Sequence, residues 1–224
     1  MKEEIKRELQ LTADGSHTLF VPAMDEHYHS VNGAMQESVH VFIEAGLRQL
    51  SKEKLRVLEI GFGTGLNALL TWREAERTGR LIEYYAIERY PLDLELVEGL
   101  NYGAVVWPEE ENLFEILHHA SWNESVKLSE NFVLHKIEGD SNTCELPKQI
   151  DLVYFDAFAP DKQPEMWEQV IFDKLYNHTL NSGIIVTYCA KGEVRRRMQQ
   201  AGYKMERLPG PPGKRHMLRG IKPL

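Results

Sequence analysis

The sequence predicts an α/β fold built on a mostly parallel sheet of seven strands. Five short runs rich in Val, Ile, Leu, Tyr or Phe alternate with helical patterns after residue 54, and this alternation indicates a parallel sheet. Two further runs flank a stiff loop at 209–213, which indicates an antiparallel hairpin that closes the sheet. The predicted strands are 56–60, 82–87, 132–137, 152–155, 184–188, 203–208 and 216–221.

Helical patterns fill most of the intervals between these strands. A leucine stripe that begins at Leu66 predicts a helix to about Thr78, with Gly79 as its stop signal. Trp72 on this helix and Met198 on a later one are expected in the core. The other predicted helices are 92–100, 164–178 and 193–201.

The pattern before residue 50 differs from the rest. Residues 13–16 (ADGS) indicate a hairpin turn ahead of a strand at 18–21, and residues 25–37 indicate a loop that enters a helix at Ser38. This region therefore adds its own elements before the alternating pattern begins.

Length and composition predict one globular unit. A chain of 224 residues with 42% apolar residues is long enough to bury a substantial core. We expect residues 51–224 to form the main domain and residues 1–50 an N-terminal extension packed on it. Residues 108–131, with an acidic run and Trp122, form an insertion or lid without a predicted role.

Cysteine usage and the N-terminus predict a cytoplasmic protein. Cys144 and Cys189 lie 45 residues apart, a spacing that fits neither a disulfide framework nor a zinc site. No apolar stretch of signal-peptide or membrane-spanning length follows the charged N-terminus. We therefore expect no membrane partner, and we expect a monomer.

Charge is distributed unevenly. The formal charge is −8, which argues against a generally nucleic-acid-binding surface. Residues 191–224, however, carry ten Lys or Arg and two acids, a balance of +8 that leaves −16 for the rest. Only this C-terminal region can grip phosphate. A solvated helix face is the alternative interpretation of Arg195, Arg196 and Arg197.

Three glycines follow the first parallel strand and open a helix. In residues 57–65 (VLEIGFGTG), Gly61 and Gly63 let the backbone approach a ligand where a Cβ would collide. A dinucleotide fingerprint would place its third glycine at position 66, where Leu66 stands, so the spacing favours S-adenosylmethionine. Glu59 is expected to take the cofactor's amino group, directly or through water. A tight turn without a ligand is the alternative.

Two more acids end strands at the same sheet edge. Glu88 follows the second strand 27 residues after Gly61, where a carboxylate can accept hydrogen bonds from both ribose hydroxyls. A nicotinamide enzyme would use the same acid, so Glu88 indicates a ribose without identifying the cofactor that contains it. A solvated acid without a ligand is the other interpretation. Asp140 follows the third strand and can accept the exocyclic amine of adenine, or serve as an ordinary turn residue.

Asp156 is the candidate catalytic residue. It ends the strand of residues 151–160 (DLVYFDAFAP), next to the strand that carries the glycines, and ligands of open parallel sheets bind beyond such ends. N-methyltransferases commonly place Asp or Asn, Pro and an aromatic residue there, to hold an amine towards the methyl donor. The order here is a variant of that pattern. A strand-capping Asp before a proline turn is the alternative.

No metal is expected. His27 and His29 stand two residues apart without an obvious third ligand, so they are interpreted as loop histidines. Methyl transfer needs no metal ion.

Taken together, these motifs resemble the methyltransferase domain of the bacterial bifunctional enzymes that make 5-methylaminomethyl-2-thiouridine at the tRNA wobble position. The resemblance covers nearly the whole chain, and its motifs are far more specific than a glycine loop. Family members carry variants of DGFAP and GKREM, so Ala157 and His216 are mild departures. The matching segments are 25–37 (DEHYHS, GAMQES), 59–72 (GFGTGLN, LLTW), 88–91, 156–167 (DAFAPDKQPEMW) and 213–220 (GKRHMLRG).

The resemblance implies a Rossmann-like class I methyltransferase fold, S-adenosyl-L-methionine as cofactor, and tRNA carrying a 5-aminomethyl wobble uridine as substrate. It implies cofactor contacts and substrate contacts at further positions of the shared segments. Bifunctional members continue into a flavin-dependent oxidoreductase domain, whereas this chain stops at Leu224 and is expected to be a stand-alone methyltransferase. The implied additional residues are Phe62 and Asn67 for cofactor and Glu37 and Pro160 for substrate. For tRNA phosphate we predict Lys214, Arg215 and the run 195–197, with Tyr28 and Phe158 as stacking partners.

Two other functions fit parts of this pattern. A small-molecule N- or O-methyltransferase would suit the acidic charge of most of the chain. A cofactor-binding module without catalysis, or a dinucleotide oxidoreductase, would suit the glycine turn alone. Binding of S-adenosylhomocysteine against NAD separates the latter from a methyltransferase.

Overall fold

A central sheet of eight strands organises the structure, a computed structural model that describes residues 5–224. The first four residues of the predicted extension 1–50 lie outside the described residues. A separate sheet of three short strands comes first in the chain. The strands are β1 (Glu8–Leu11), β2 (His17–Val21), β3 (Glu26–His27), β4 (Lys54–Ile60), β5 (Leu81–Glu88), β6 (Ser125–Lys127), β7 (Phe132–Glu138), β8 (Ile150–Phe155), β9 (Thr179–Thr187), β10 (Lys204–Pro209) and β11 (His216–Ile221).

The order of the central strands confirms the predicted fold class. From edge to edge the order is β10-β11-β9-β8-β4-β5-β7-β6. Neighbours from β9 to β7 are parallel, and β10 and β11 form the predicted antiparallel hairpin. The sheet has one more strand than the seven predicted, because β6 pairs antiparallel with β7. Its three residues, Ser-Val-Lys, carry too little apolar pattern for the sequence to predict a strand.

The strand order reverses next to β4. The chain runs from β4 to β5 and β7 on one side, and then to β8 and β9 on the other. Open parallel sheets bind ligands beyond the carboxyl ends of strands at such a reversal. Ile60 at the end of β4 pairs in register with Phe155 at the end of β8. The glycine turn and Asp156 therefore leave the sheet side by side.

Helices cover both faces of the central sheet, and some boundaries differ from the predicted ones. The predicted helix 164–178 is two elements, because the extended backbone of Glu168 separates a 3-10 turn (Pro164–Trp167) from the helix after it. The helix predicted from Ser38 begins four residues earlier and continues as a π-helical turn (Val39–Glu44). The helices are α1 (Ala34–Ser38), α2 (Leu66–Thr78), α3 (Leu94–Glu98), α4 (Tyr102–Val106), α5 (Leu113–His119), α6 (Gln169–His178) and α7 (Gly192–Ala201).

Two apolar layers enclose the central sheet. One layer packs α2, α4 and α5 against the sheet and includes Trp72 and Tyr84. The other packs α6 and α7 against the opposite face and includes Phe155, Trp167 and Met198. Trp72 and Met198 are buried in the core, as predicted. Both faces of the parallel strands are thus covered, which explains their nearly continuous apolar sequence.

The N-terminal elements pack into the first apolar layer. β1 and β2 pair antiparallel around the predicted turn at 13–16, and Leu19 of β2 is fully buried in that layer. Glu74 on α2 accepts hydrogen bonds from Arg48, which precedes β4, and from Arg77. Burial alone would raise the pKa of Glu74, but these two guanidinium groups outweigh burial and hold it at about 2. An ion-pair network therefore joins the N-terminal segment to α2.

Candidate active site

A cavity of about 520 Å³ opens at the carboxyl ends of β4, β5, β7 and β8. Small-ligand sites usually measure about 300–1,000 Å³, so the cavity is large enough for a cofactor. Predicted site residues from widely separated segments meet in its lining. They are Tyr28, Glu37, Gly61, Phe62, Gly63, Glu88, Asp140, Asp156, Phe158 and Lys214.

Gly61 and Gly63 lie in a tight turn that has no room for a side chain. Their φ angles are +89° and +51°, in the region that favours glycine. A Cβ on Gly61 would lie 2.8 Å from the backbone oxygen of Asp156, and one on Gly63 would lie 3.0 Å from the ring of Tyr28. Bare backbone therefore faces the cavity at the turn after β4, which allows a ligand to approach closely.

Two buried histidines hold Thr64 in the glycine turn. His29 Nε2 lies 2.7 Å from Thr64 Oγ1, and His118 Nε2 lies 3.1 Å from the Thr64 carbonyl oxygen. Burial lowers the pKa of His29 to about 4 and that of His118 to about 3, so both are neutral at pH 7. The sequence pattern indicates a loop histidine at His29 and does not single out His118, because these contacts depend on tertiary packing and leave no local spacing signal.

The segment 108–131 supports the same turn from behind. It folds into a 3-10 turn, α5 and β6, and His118 of α5 belongs to it. The Trp122 ring packs edge-on against Phe62, with ring centroids 5.7 Å apart. The ammonium group of Lys136 lies 4.8 Å from the Trp122 ring centroid, and burial lowers its pKa to about 8. The segment 108–131, for which the sequence predicted no role, thus packs against the glycine turn and stabilises it.

Glu88 and Asp140 both line the cavity, as expected from their places at strand ends. Glu88 accepts a hydrogen bond from the Gly63 N–H at 2.9 Å and another from the Tyr90 N–H at 2.8 Å. Each oxygen of this carboxylate keeps a lone pair for a ribose hydroxyl. Asp140 forms an ion pair with Arg89 at 3.0 Å. The two acids are therefore held in fixed orientations.

Glu59 lies behind the cavity wall. It is fully buried and is not part of the cavity lining. The Asn67 side-chain amide donates to Glu59 Oε1 at 2.9 Å and to Asp156 Oδ2 at 2.8 Å. Burial raises the pKa of Glu59 well above its ordinary value. Asn67 is also buried and outside the cavity lining, so it links Glu59 to Asp156 behind the wall. The cofactor contacts of Glu59 and Asn67 stay predictions.

The loop that carries Asp156 is anchored at several points. The Trp167 indole N–H donates to the Phe158 carbonyl oxygen at 2.7 Å, and the Tyr188 hydroxyl donates to the Ala157 carbonyl oxygen at 2.8 Å. The Asp156 N–H donates to the last carbonyl of β4 at 3.0 Å. These bonds hold the Asp156 side chain at the cavity with little freedom.

The Asp156 carboxyl group has a strongly perturbed pKa. Burial raises its pKa to about 7, and the nearby Glu37 carboxylate contributes to the rise. The hydrogen bond from Asn67 and the charge of Lys214 act in the opposite direction. A carboxyl group in this state can both accept and hold a proton near neutral pH, as acid–base catalysis requires.

Lys214 points into the cavity and is engaged there. Its ammonium group pairs with the Glu37 carboxylate and lies 4.1 Å from the ring centroid of Tyr188. This partly buried position differs from the exposed one expected of a phosphate-gripping lysine. Sequence reasoning missed Tyr188 as a site residue, although its place at the end of a predicted strand beside the Asp156 strand was a usable signal.

Aromatic rings stand at the same cavity. Tyr28 and Phe158 pack edge to face, with centroids 5.1 Å apart and planes at 76°. Arg7 Nε donates to the Tyr28 hydroxyl at 3.0 Å and fixes that ring. The two predicted stacking residues therefore lie together at the cavity, and their role in stacking a base stays a prediction.

Several predicted contact residues lie outside the cavity lining. Pro160 is buried, whereas Arg215, Arg195 and Arg196 are exposed at the surface. Arg197 is half-buried and donates to a backbone oxygen at 2.6 Å. Within the described residues no acid lies at ion-pair distance from Arg195, Arg196 or Arg215. These three guanidinium groups are available to an external anion.

The two loop histidines have partners other than a metal. His27 Nε2 lies 3.0 Å from Gln10 Oε1, and His29 contacts Thr64. Across residues 5–224 there is no group of three or more His, Cys, Asp or Glu side chains that could hold a metal ion. The same residues include no helix with the length and apolar character needed to cross a membrane.

Comparison with known proteins identifies the family. A family described as S-adenosyl-L-methionine-dependent methyltransferase matches residues 110–223, just over half of the 224 residues. The chain belongs to this family. The cofactor of the methyltransferase is therefore S-adenosyl-L-methionine, and the dinucleotide oxidoreductase alternative is excluded.

The methyltransferase is similar to curated proteins named tRNA 5-methylaminomethyl-2-thiouridine biosynthesis bifunctional protein MnmC. It is 32% identical over 213 residues to the protein from Pseudomonas fluorescens, a match that covers 88% of this chain and 32% of that one. It is 33% identical over 227 residues to the protein from Ralstonia nicotianae, covering 93% of this chain and 33% of that one. The methyltransferase thus spans about a third of the length of these relatives.

Solved structures share the fold of the methyltransferase. MNMC2 from Aquifex aeolicus matches with a TM-score of 0.78 and 24% identity over 100% of this chain and 74% of that one. Spermidine synthase from Thermotoga maritima matches with a TM-score of 0.53 and 8% identity over 99% of this chain and 82% of that one. At these identities the likeness concerns the fold alone.

Proposed function

We propose that this methyltransferase N-methylates the 5-aminomethyl group of the wobble uridine, or 2-thiouridine, of tRNA to give the 5-methylaminomethyl product. The observation that carries the proposal is the pair of carboxylates, Asp156 and Glu37, in one cavity with aromatic rings. Carboxylates suit an ammonium group, and aromatic rings suit an unstacked base. The names of the MnmC relatives indicate the same modified uridine.

The cofactor would lie across the glycine turn. The bare backbone of Gly61 and Gly63 accommodates it, and the Glu88 carboxylate is oriented for its two ribose hydroxyls. Asp140 would accept the adenine amine, and Phe62 would contact the cofactor from the turn itself. Bound there, S-adenosyl-L-methionine supplies an electrophilic methyl group.

The protein's own chemical task is then to remove a proton from the acceptor. A free alkyl amine has a pKa near 10, so it arrives as an ammonium group that Asp156 can bind as a hydrogen-bond acceptor. Transfer of that proton to a carboxylate of pKa about 7 costs about 4 kcal/mol, and exclusion of water from the amine reduces this cost. Asn67 holds the accepting carboxylate in place. Positioning of the neutral amine supplies most of the remaining acceleration.

Exposed arginines are the proposed contacts to the phosphate groups of tRNA. α7 follows β9 and begins at the sheet edge where the cavity opens, and Arg195 and Arg196 lie on its second turn. Arg215 lies in the loop between β10 and β11, next to the cavity residue Lys214. Guanidinium groups that are exposed and have no ion-pair partner among residues 5–224 suit the phosphates that flank an extruded base.

Reversing the charge of Arg195 and Arg196 together (R195E/R196E) should weaken tRNA binding and flatten its salt dependence by about two in log–log slope. Filter binding over a series of salt concentrations measures both quantities. K54E/K148E reverses two cations at the amino ends of β4 and β8, away from the cavity, and should leave the slope unchanged. Equal slopes for R195E/R196E and the unaltered enzyme would show that tRNA is held elsewhere.

Nucleoside mass spectrometry tests the proposed function directly. Wobble uridines from cells without the gene should accumulate the 5-aminomethyl form and lack its N-methylated product, and purified enzyme with cofactor should restore the product. The rival function, N- or O-methylation of a small molecule, is favoured by the acidic charge of residues 1–190. Methylation of a panel of small amines, with none of bulk tRNA from the deletion strain, would establish that rival. We place the enzyme in the cytoplasm, where this tRNA is found.

A further inference from the structure

A cluster of Glu37, Lys214 and Tyr188 lies in the cavity beside Asp156. Lys214 is held between two partners, the Glu37 carboxylate and the face of the Tyr188 ring. Glu37 is only 5% exposed, and its other oxygen accepts the Ser30 N–H at 3.2 Å. The buried carboxylate and the aromatic face fix the position of the ammonium group, whereas an exposed lysine would stay mobile.

The fold gives this lysine little freedom to turn outwards. Lys214 lies in the loop between β10 and β11, and a Cβ on Gly210 of that loop would lie 2.4 Å from the Lys214 carbonyl oxygen. A Cβ on Gly213 would lie 2.2 Å from the Asn32 side chain, so the loop is pressed against the segment before α1. Both glycines thus permit a close approach that brings the lysine to the acid on α1.

The cluster is also tied to the catalytic loop. Tyr188 receives the Lys214 ammonium on its ring, and its hydroxyl donates to the carbonyl oxygen of Ala157, the residue after Asp156. One aromatic side chain therefore links the lysine to the Asp156 loop. Glu37, Lys214 and Asp156 line the same cavity, which brings both charges near the Asp156 carboxyl group.

We propose that Glu37 and Lys214 are a pair of positioning residues that set the proton affinity of Asp156 from opposite directions. Glu37 keeps Asp156 able to take a proton at neutral pH, and Lys214 prevents burial and the Glu37 charge from leaving Asp156 permanently protonated. The inference rests on the proposed role of Asp156 as proton acceptor for an amine, and it needs no assumption about tRNA. Lys214 would then act on Asp156 inside the cavity instead of binding tRNA phosphate.

Asp156 has other neighbours besides this ion pair. Asn67 donates a hydrogen bond to it, and the buried Glu59 and Tyr84 lie behind it. Burial raises the pKa of both Glu59 and Tyr84 well above their ordinary values, which favours their uncharged forms. Burial likewise raises the pKa of Tyr188. Glu37 and Lys214 form the ion pair that lines the cavity together with Asp156.

The test is a titration of the Asp156 carboxyl carbon by 13C NMR in the free enzyme, with D156N to assign the signal. E37Q should move the midpoint to lower pH by about one pH unit, because it removes a like charge. K214M should move it to higher pH by a similar amount, because it removes an opposite charge, and K214R should restore the original midpoint. K54M, which removes a cation at the far end of β4, should have no effect.

Midpoints that move in the same direction in E37Q and K214M, or that do not move, would overturn the inference. The low-pH limb of kcat/KM supplies a second readout, since it reports the free enzyme and should follow the same order in each variant. If one single variant fails to fold, the double variant E37Q/K214M replaces it. Its titration midpoint should lie near that of the unaltered enzyme, because the two opposite shifts cancel. The titration needs no substrate, so opposite shifts with no tRNA methylation would refute the proposed function and retain the pair.

Discussion

Replacing Asp156 with alanine should lower turnover by about 10²–10⁴-fold, the usual contribution of a positioned acid–base group. Affinity for S-adenosylhomocysteine should change little, because the glycine turn and Glu88 remain intact. The physical reason is that the cavity would lose the carboxylate that orients the ammonium and takes its proton. Single-turnover kinetics and calorimetric binding separate the two effects.

A nearby acid provides the matched control for this substitution. Asp161 lies five residues further along the chain, is exposed, and pairs with Lys191 at 2.6 Å outside the cavity. D161A removes the same charge without touching the cavity lining, and its turnover should stay close to that of the unaltered enzyme. Near-normal turnover in D156A would remove Asp156 from the mechanism.

Gly61→Ala should lower affinity for S-adenosylhomocysteine by at least about 100-fold. The added Cβ would lie 2.8 Å from the Asp156 carbonyl oxygen, and that backbone atom cannot move aside cheaply. The φ of +89° adds strain of about 1–2 kcal/mol for a residue with a side chain. The strain lowers stability, whereas the clash makes the turn shift where it would meet the cofactor, and a 100-fold loss corresponds to about 2.8 kcal/mol of binding free energy. Isothermal titration measures it.

Gly79→Ala separates backbone strain from the clash. Gly79 has a φ of +69° at the end of α2, yet a Cβ there would meet nothing within 4 Å. G79A should therefore lose stability and keep its affinity for S-adenosylhomocysteine. If G61A bound the ligand as tightly as G79A does, the glycine turn would not be the place where the cofactor approaches the backbone.

Strand positions could be predicted because β8 is buried along its whole length and β4, β5, β7 and β9 each bury apolar residues at two or more positions. The positions of several site residues could be predicted too, because residues that follow parallel strands meet at one edge of the sheet. Glu88, Asp140 and Asp156 followed from this rule and all line the cavity.

Contacts between distant segments could not be predicted in this way. His118 reaches Thr64 from the segment 108–131, and Lys214 reaches Glu37 across 177 positions of the chain. Neither contact has a fixed spacing or a residue pattern of its own. A positive charge near the C-terminus therefore suggested phosphate, although the fold turns this lysine towards a buried acid.

Burial also decides where one acid lies. Glu59 is the penultimate residue of β4, near the edge where ligands bind, but it is fully buried and bonds to Asn67, which bonds to Asp156 as well. Sequence position fixes which sheet edge a residue is near. Whether its side chain lines the cavity or lies one layer behind depends on packing that the local pattern does not encode.

A crystal structure of the complex with S-adenosylhomocysteine would show where the cofactor lies relative to Asp156. We expect the ribose hydroxyls at the Glu88 carboxylate, the ligand along Gly61 and Gly63, and the sulfur facing Asp156 with room between them for one methyl group and one amine. A ligand bound in another cavity, or a sulfur directed away from Asp156, would contradict this expectation.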